Sequence, residues 1–329
     1  MVNHPAGRKD FGLSPDTSTR PRPMVSEAQF KEELQNGRMI ESTEEMTEGY
    51  ERALKQILLV SGDTELMSAP AYYEQSLNAP TLNARASSIS VIQDELGHAH
   101  YCYRLLEDLG MDREQLLYGR EPHEFRNTYG FDQRLENFAE LAVGHGFWDR
   151  AGIVLLSDIH QNTSYGPWKR ALRKVDKEEQ FHLRHGETWM RRFANKGGEA
   201  RRKLQRAVDW MFPIAIEWFG LPDDQKQHDD QLEYRIKGMS NDELRQEWMS
   251  TAVPLCEELD LDVPAHYDEA ADEYVVEYDF PVAFDEAAKE WRFDDPISWG
   301  DMMDRWKSRG PANERYVEMI QSGRVTVGA

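Results

Sequence analysis

From Glu44 onward the apolar positions recur every three to four residues. Met46, Tyr50, Leu54, Leu58 and Ser61 draw one stripe on a helix, and Glu65 falls on that same stripe. Pro70 and Pro80 bracket a connection. Thr81 is placed to cap a second long helix that runs to Leu109 and stops at Gly110; its stripe passes Ser88, Val91, Glu95, His98 and Cys102. A connection carrying Pro122, Asn127 and Gly130 follows. A third helix is predicted from about Asp132 to His160, with Phe138, Leu141, His145, Trp148/Asp149 and Gly152 on its stripe. The turn Thr163-Ser164-Tyr165-Gly166-Pro167 opens a fourth, with Pro167 near its first position. That helix passes Leu172, Val175, Glu179, His182, Gly186 and Trp189 and stops at Gly197-Gly198.

The two ends are less regular. A helix over about 199–219 should kink near Pro213, and 221–232 reads as a polar loop. Ser240 and Glu243 have capping-box spacing ahead of a helix over about 241–257. Residues 273–280 read as a short strand and about 298–322 as a final helix. Residues 1–40 are polar and carry Pro5, Pro15, Pro21 and Pro23, which predicts a flexible arm ahead of one domain over 41–329.

The polar residues on the inner stripes change this picture from a plain bundle to a site. Glu95-Leu96-Gly97-His98 on the second helix and Glu179-Gln180-Phe181-His182 on the fourth each place an acid and a histidine on one helical face. One such pair is a weak signal. Here Glu65 stands thirty residues before Glu95, and Asp149 thirty before Glu179, so the whole pattern recurs with an offset of 84. Thirty residues allow about 22 Å up one helix and the same back, so both ends of each antiparallel pair meet at one height. Two such pairs joined by a long crossover make a ferritin-like four-helix bundle, all-α, here with additional C-terminal helices. Four carboxylates on core-facing stripes cannot stay ionised without partners, and two divalent cations would balance them. Carboxylate and imidazole without thiolate favour iron or manganese over structural zinc. Asp94 and Glu178 each lie four residues before a histidine of the pattern, either to orient it or as solvated helix residues. His100, His145, His160 and His185 have no matching partners.

Composition narrows the function classes. Sixty acidic against 39 basic residues give a formal charge of −21, which disfavours a nucleic-acid binder. Of the basic residues 27 are Arg and 12 Lys, the balance of an acidic, Lys-poor surface suited to high salt. No apolar run is long enough for a membrane span, the first residues lack a signal-peptide core, and Cys102 and Cys256 form no disulfide or metal framework. A soluble cytoplasmic protein is expected. There is no P-loop, Gly-x-Gly-x-x-Gly or His-Glu-x-x-His, so any reducing cofactor belongs to another chain.

Several strings then carry a family resemblance. Gln93-Asp94-Glu95-Leu96-Gly97-His98, Thr163-Ser164-Tyr165-Gly166-Pro167, Lys177-Glu178-Glu179-Gln180-Phe181-His182 and Asn241-Asp242-Glu243-Leu244-Arg245-Gln246 resemble the catalytic A subunits of the ring-epoxidising phenylacetyl-CoA oxygenases. Trp210-Met211-Phe212-Pro213 and the stretch from Val253-Pro254 to Val263-Pro264 extend the likeness to about residues 45–295. The resemblance implies a di-iron monooxygenase that inserts one atom of O2 into the ring of phenylacetyl-CoA, in phenylacetate degradation. It implies a complex with a related non-catalytic ferritin-like subunit, a small accessory subunit and a reductase that carries FAD, an iron–sulfur cluster and NADPH. Carried over by motif, Glu65, Glu95 and His98 would hold one iron and Asp149, Glu179 and His182 the other, with at least one carboxylate bridging. Leu96, Phe181 and Trp148 would shape a dry pocket beside them, unless they are plain core.

Two departures from the family pattern bear on the site. The stretch from Asp149 to Thr163 is one residue longer than the pattern, and an extra residue within a helix would turn Asp149 by about 100°. The coenzyme is strongly anionic whereas the chain is acidic; Arg170, Arg173, Lys174 and Lys177 form a candidate basic cluster, or simply a solvated face. Three alternatives share the ligand pattern: a di-iron or manganese–iron oxidase or hydroxylase of another acyl-CoA or small substrate, a non-catalytic partner subunit, and an iron-storage protein.

Overall fold

The computed structural model describes residues 25–226 and 228–323. A short helix α1 (Glu27–Gln35) opens it, closed at its start by a capping box between Ser26 and Gln29. Phe30, Leu34 and Ile40 are fully buried, and Ile40 exchanges backbone hydrogen bonds with Ser164 and Gly166. The loose arm expected over 1–40 therefore does not include 25–40: three apolar side chains pin that stretch to the bundle. The rest of the expected arm, residues 1–24, lies outside the described residues.

Four segments build the bundle. Helix α2 (Glu48–Ser76) starts at Thr47, whose hydroxyl accepts from the Tyr50 amide. It runs through Pro70 rather than ending there. The missing N–H and ring crowding of a proline are tolerated because α2 is buried along α3 (Leu82–Asp108) on both sides of that residue. Thr81 caps α3 as expected, and Gly110 follows it at φ 87°. A small helix α4 (Arg113–Tyr118) and two single 3-10 turns fill the crossover. The third helix begins at α5 (Phe138–Val143), not near Asp132: Asp132 sits in the turn Tyr129–Asp132, where it bonds Asn127 and Asn313 and pairs with Arg309, and Asn137 caps the helix instead. The chain then widens into a π-helical segment, Gly144–Trp148, before α6 (Asp149–Asn162). Helix α7 (Gly166–Lys196) returns antiparallel, with Pro167 in its first turn and Gly197 at φ 66° after its end.

The remaining elements cover this frame. Helix α8 (Gly198–Glu217) continues through Pro213 and packs on α5 and α7. The predicted polar loop after it contains a one-turn helix α9 (Asp230–Glu233). Helix α10 (Asn241–Glu258) carries the expected capping box of Ser240 and Glu243. In place of one strand there are two antiparallel hairpins: β1 (Ala265–Asp268) with β2 (Glu273–Val276), and β3 (Val282–Asp285) with β4 (Glu290–Pro296). The predicted final helix is two, α11 (Trp299–Ser308) and α12 (Asn313–Ser322). They are divided at Arg309, whose backbone turns to φ 62° so that its side chain reaches the carbonyls of Phe125 and Asn127. The fold is an all-α, ferritin-like bundle with these additions. Among the described residues no helix is long and apolar enough to cross a membrane.

Candidate metal centre

Helices α3 and α7 lie side by side and antiparallel, so their two Glu-x-x-His motifs face each other at one height. Glu65 comes from α2 and Asp149 from the first position of α6. All six predicted residues meet. His98 Nδ1 lies 3.1 Å from Glu179 and 3.5 Å from Glu65. His182 Nδ1 lies 3.0 Å from Glu95, 3.6 Å from Glu179 and 4.0 Å from Asp149. The potential ligand atoms form two groups, each within 4.8 Å: Glu65, Glu95, His98 and Glu179, and Glu95, Asp149 and His182. Glu95 falls in both groups, and Glu95 and Glu179 each reach across to the histidine of the neighbouring helix.

The surrounding hydrogen bonds cross over in the same way. His98 Nε2 lies 3.2 Å from Glu178 on α7, and His182 Nε2 lies 3.4 Å from Asp94 on α3. Each acid orients the histidine of the opposite helix, not the one four residues on, because it projects from the flank toward the antiparallel neighbour. Three further residues hold the carboxylates. Ser68 donates to Glu95 at 2.7 Å, Tyr72 donates to Asp149 at 2.6 Å, and His145 Nδ1 lies 2.7 Å from the other Asp149 oxygen. The sequence reading missed them, although Ser68 and Tyr72 follow Glu65 at helical spacing and His145 precedes Asp149 by four.

The helix carries a π segment directly before Asp149 and runs as α-helix after it. His145 within that segment and Asp149 after it lie in hydrogen-bond contact, and Asp149 stands at the centre.

Electrostatics and donor chemistry fit divalent cations. Burial and the neighbouring Glu65 charge push the Glu95 carboxyl up to about 8. Burial also raises Asp149, against the pull of His145. Burial opposes charge on both histidines, yet the surrounding carboxylates outweigh it and raise both, His98 to about 12. Protons are drawn into a cluster that carries four acids. The Nδ1 atoms of His98 and His182 are buried and make no hydrogen bond despite carboxylate oxygens 3.0–3.1 Å away. Released of its proton, each Nδ1 would present a lone pair beside these acid oxygens, which is how ligands surround a cation. Tyr72 is held far above the usual phenol range by burial and then by the Asp149 charge, so it remains a donor.

The apolar neighbours divide. Trp148 is fully buried core, whereas Leu96 and Phe181 are 45% and 37% exposed, so neither encloses a dry pocket. Within the candidate basic cluster Lys174 pairs with Glu178 and Arg170 with Glu41.

Comparison with known proteins accords with this geometry. The model of the family described as "Phenylacetic acid catabolic protein" matches residues 24–291. The chain is 30% identical to the A subunit of the 1,2-phenylacetyl-CoA epoxidase of Escherichia coli (strain K12) over 256 residues, 76% of this chain and 82% of that one. It is 26% identical to the C subunit of the same organism's enzyme over 161 residues, 48% of this chain and 64% of that one. With its ligand pattern gathered on a ferritin-like frame and matches that span most of its length, this chain belongs to the phenylacetic acid catabolic protein family.

Proposed function

We propose that the chain is the catalytic subunit of a multicomponent di-iron monooxygenase that epoxidises the aromatic ring of phenylacetyl-CoA. One oxygen atom of O2 enters the ring and the other leaves as water, with two electrons delivered from NADPH by a separate flavin and iron–sulfur reductase. The likeness to the A subunit of the bacterial epoxidase, with all six acid and histidine positions present, carries the reading. A non-catalytic chain would have no need of the complete set. A related ferritin-like subunit and a small accessory subunit complete the proposed complex.

Glu65, Glu95, His98, Asp149, Glu179 and His182 would hold two irons, at least one carboxylate being shared between them. The metals, when bound, supply O2 reduction and transfer of an oxygen atom to the ring. The chain's own side chains do the rest. Carboxylates can shift between one-metal and bridging modes as metal charge changes, and Glu178 and Asp94 fix the histidine tautomers that present Nδ1. Tyr72 and His145 keep Asp149 oriented.

The test is Glu95→Ala, which removes the residue common to both groups. Iron content should fall from two per chain to near zero and phenylacetyl-CoA epoxidation should cease, while the far-UV circular dichroism stays that of a helical bundle. Iron and turnover equal to the parent would remove Glu95 from the site. A parent protein with no metal, or one zinc, would turn the reading to a non-catalytic partner.

A further inference from the structure

Helix α3 carries two stripes on opposite sides. The inward one, Ala84, Ser88, Val91, Glu95, His98 and Cys102, is buried in the bundle and includes two of the candidate ligands. The outward one is made of Leu82, Ala86, Ile89, Gln93, Leu96 and His100, all exposed. These six positions alternate in steps of four and three residues, the repeat of a seam between two helices, and they extend about 27 Å along the axis. Leu82, Ile89 and Leu96 stand seven residues apart and are 80%, 39% and 45% exposed. None of the six is charged, in a chain of which 30% is. The exposed residues of α7 differ: they include Arg170, Arg173, Lys174, Lys177 and Arg184, an ordinary solvated face.

Two further features define what covers this seam. Gly97 lies inside α3 beside Leu96, where glycine weakens a helix. Apart from its own turns of helix, nothing lies within 4 Å of the place its Cβ would take, so packing within the described chain does not call for glycine. The missing side chain lets another backbone come close to the seam. The second feature is charge. Arg85 on α3 and Arg184, which borders the first turns of α3 near Asn83 and Ser87, have no carboxylate partner among the described residues, although the chain carries 60 acids. A helix with carboxylates at the edge of its own apolar stripe complements both features. A second copy of this chain does not, because two molecules of net charge −21 repel.

We propose that the outward seam of α3 docks a helix of the related ferritin-like subunit, one with apolar residues at the same spacing and carboxylates beside them; this rests on the multisubunit reading above. Side chains of that helix seat between Leu82, Ile89 and Leu96, and the polar, uncharged Gln93 and His100 set its register. His182 lies against Glu95, so Phe181, also exposed, stands level with Leu96 and extends the apolar surface onto α7. The partner thus grips the helix that holds Glu95 and His98 on its other side.

Mass photometry on the iron-loaded full chain, co-expressed with the related subunit, reads the dissociation constant of the pair. Gly97→Leu should keep the parent's iron content and a Tm at or above the parent's, because a better helix former enters open space, yet weaken the pair at least about tenfold. Ile89→Glu should weaken it comparably. Arg85→Glu/Arg184→Glu should weaken it in low salt and not in high salt. Tyr267→Glu, which alters an exposed aromatic on the β1–β2 hairpin, should leave the pair as in the parent. Parent-like affinity in both seam variants overturns docking on α3 and leaves the multisubunit reading standing. An equal loss in Tyr267→Glu overturns the specificity of the seam. A parent chain that does not pair with the related subunit overturns the multisubunit reading together with the docking, while Glu95→Ala still tests the metal centre. A parent that forms its own dimer, dispersed by Gly97→Leu, overturns the related subunit as the occupant.

Discussion

The pair α2–α3 and the pair made of α5, the π segment, α6 and α7 bring the same acid–x29–Glu–x2–His pattern to one centre, but they hold it differently. In the first pair both helices are regular, and the Glu65 side chain is 12% exposed, with His98 its only ion-pair partner among the described residues. In the second the helix is opened by a π turn, and Asp149 is 3% exposed and gripped by Tyr72 and His145. Asp149 is fixed by two neighbouring side chains, whereas Glu65 has only His98 beside it among the described residues. In the proposed di-iron centre Asp149 would anchor and Glu65 would yield.

The largest test of the comparison is to close the second pair. A Cβ on Gly186 would lie 2.5 Å from the backbone nitrogen of Gly146 and 2.7 Å from the carbonyl carbon of His145, so α7 can approach the π segment only with glycine there. Gly186→Ala should cost about 3 kcal/mol of stability and displace His145, read as a lowered Tm and a loss of iron. A variant with the parent's Tm and iron content would show that the close approach is not needed.

A smaller effect is expected from loosening the grip itself. Tyr72→Phe removes the hydroxyl that donates to Asp149 and should weaken iron binding about 10- to 100-fold in competition with a chelator. Glu65 has no such support to remove, so Glu65→Gln should alter the spectrum of the loaded centre more than its affinity. Equal affinity losses in the two variants would erase the proposed asymmetry.

The smallest effect is a pH dependence that belongs to the second pair alone. His185 ionises at about 3 in the fold against 6.5 in the free side chain, because burial disfavours the cation. Between those values the unfolded chain binds a proton that the fold refuses, so stability falls as pH falls. From pH 7 to 5.5 the loss should be about 1 kcal/mol, and His185→Phe should remove that part of the slope. A variant with the parent's slope would show that His185 accepts the proton without unfolding.

Much of the centre is legible from spacing. The repeat offset of 84 identifies all six residues, since helical period and equal helix lengths leave few ways to arrange them. The second helix and its stop are legible for the same local reasons, Thr81 as cap and Gly110 as terminator. The arm over 25–40 is not, because Phe30 and Leu34 find their burial against residues distant in sequence, with Phe30 edge-on to Tyr50 and to Tyr234. Pro70 misleads for a related reason: a local rule against proline in helices is overruled by packing along the whole of α2.

The sequence by itself therefore determines which residues can reach a shared centre, because that depends on helix period, caps and chain length, all local quantities. Only the tertiary structure decides how they are shared. The crossing of Glu95 to His182 and Glu179 to His98, the exchange of Asp94 and Glu178, and the grip of Tyr72 and His145 on Asp149 all depend on how α3, α7 and the π segment are set against one another. A shift of one helix by a fraction of a turn would leave every motif intact and change every one of those partners, since side-chain hydrogen bonds act over about 3 Å while a helical turn rises about 5.4 Å.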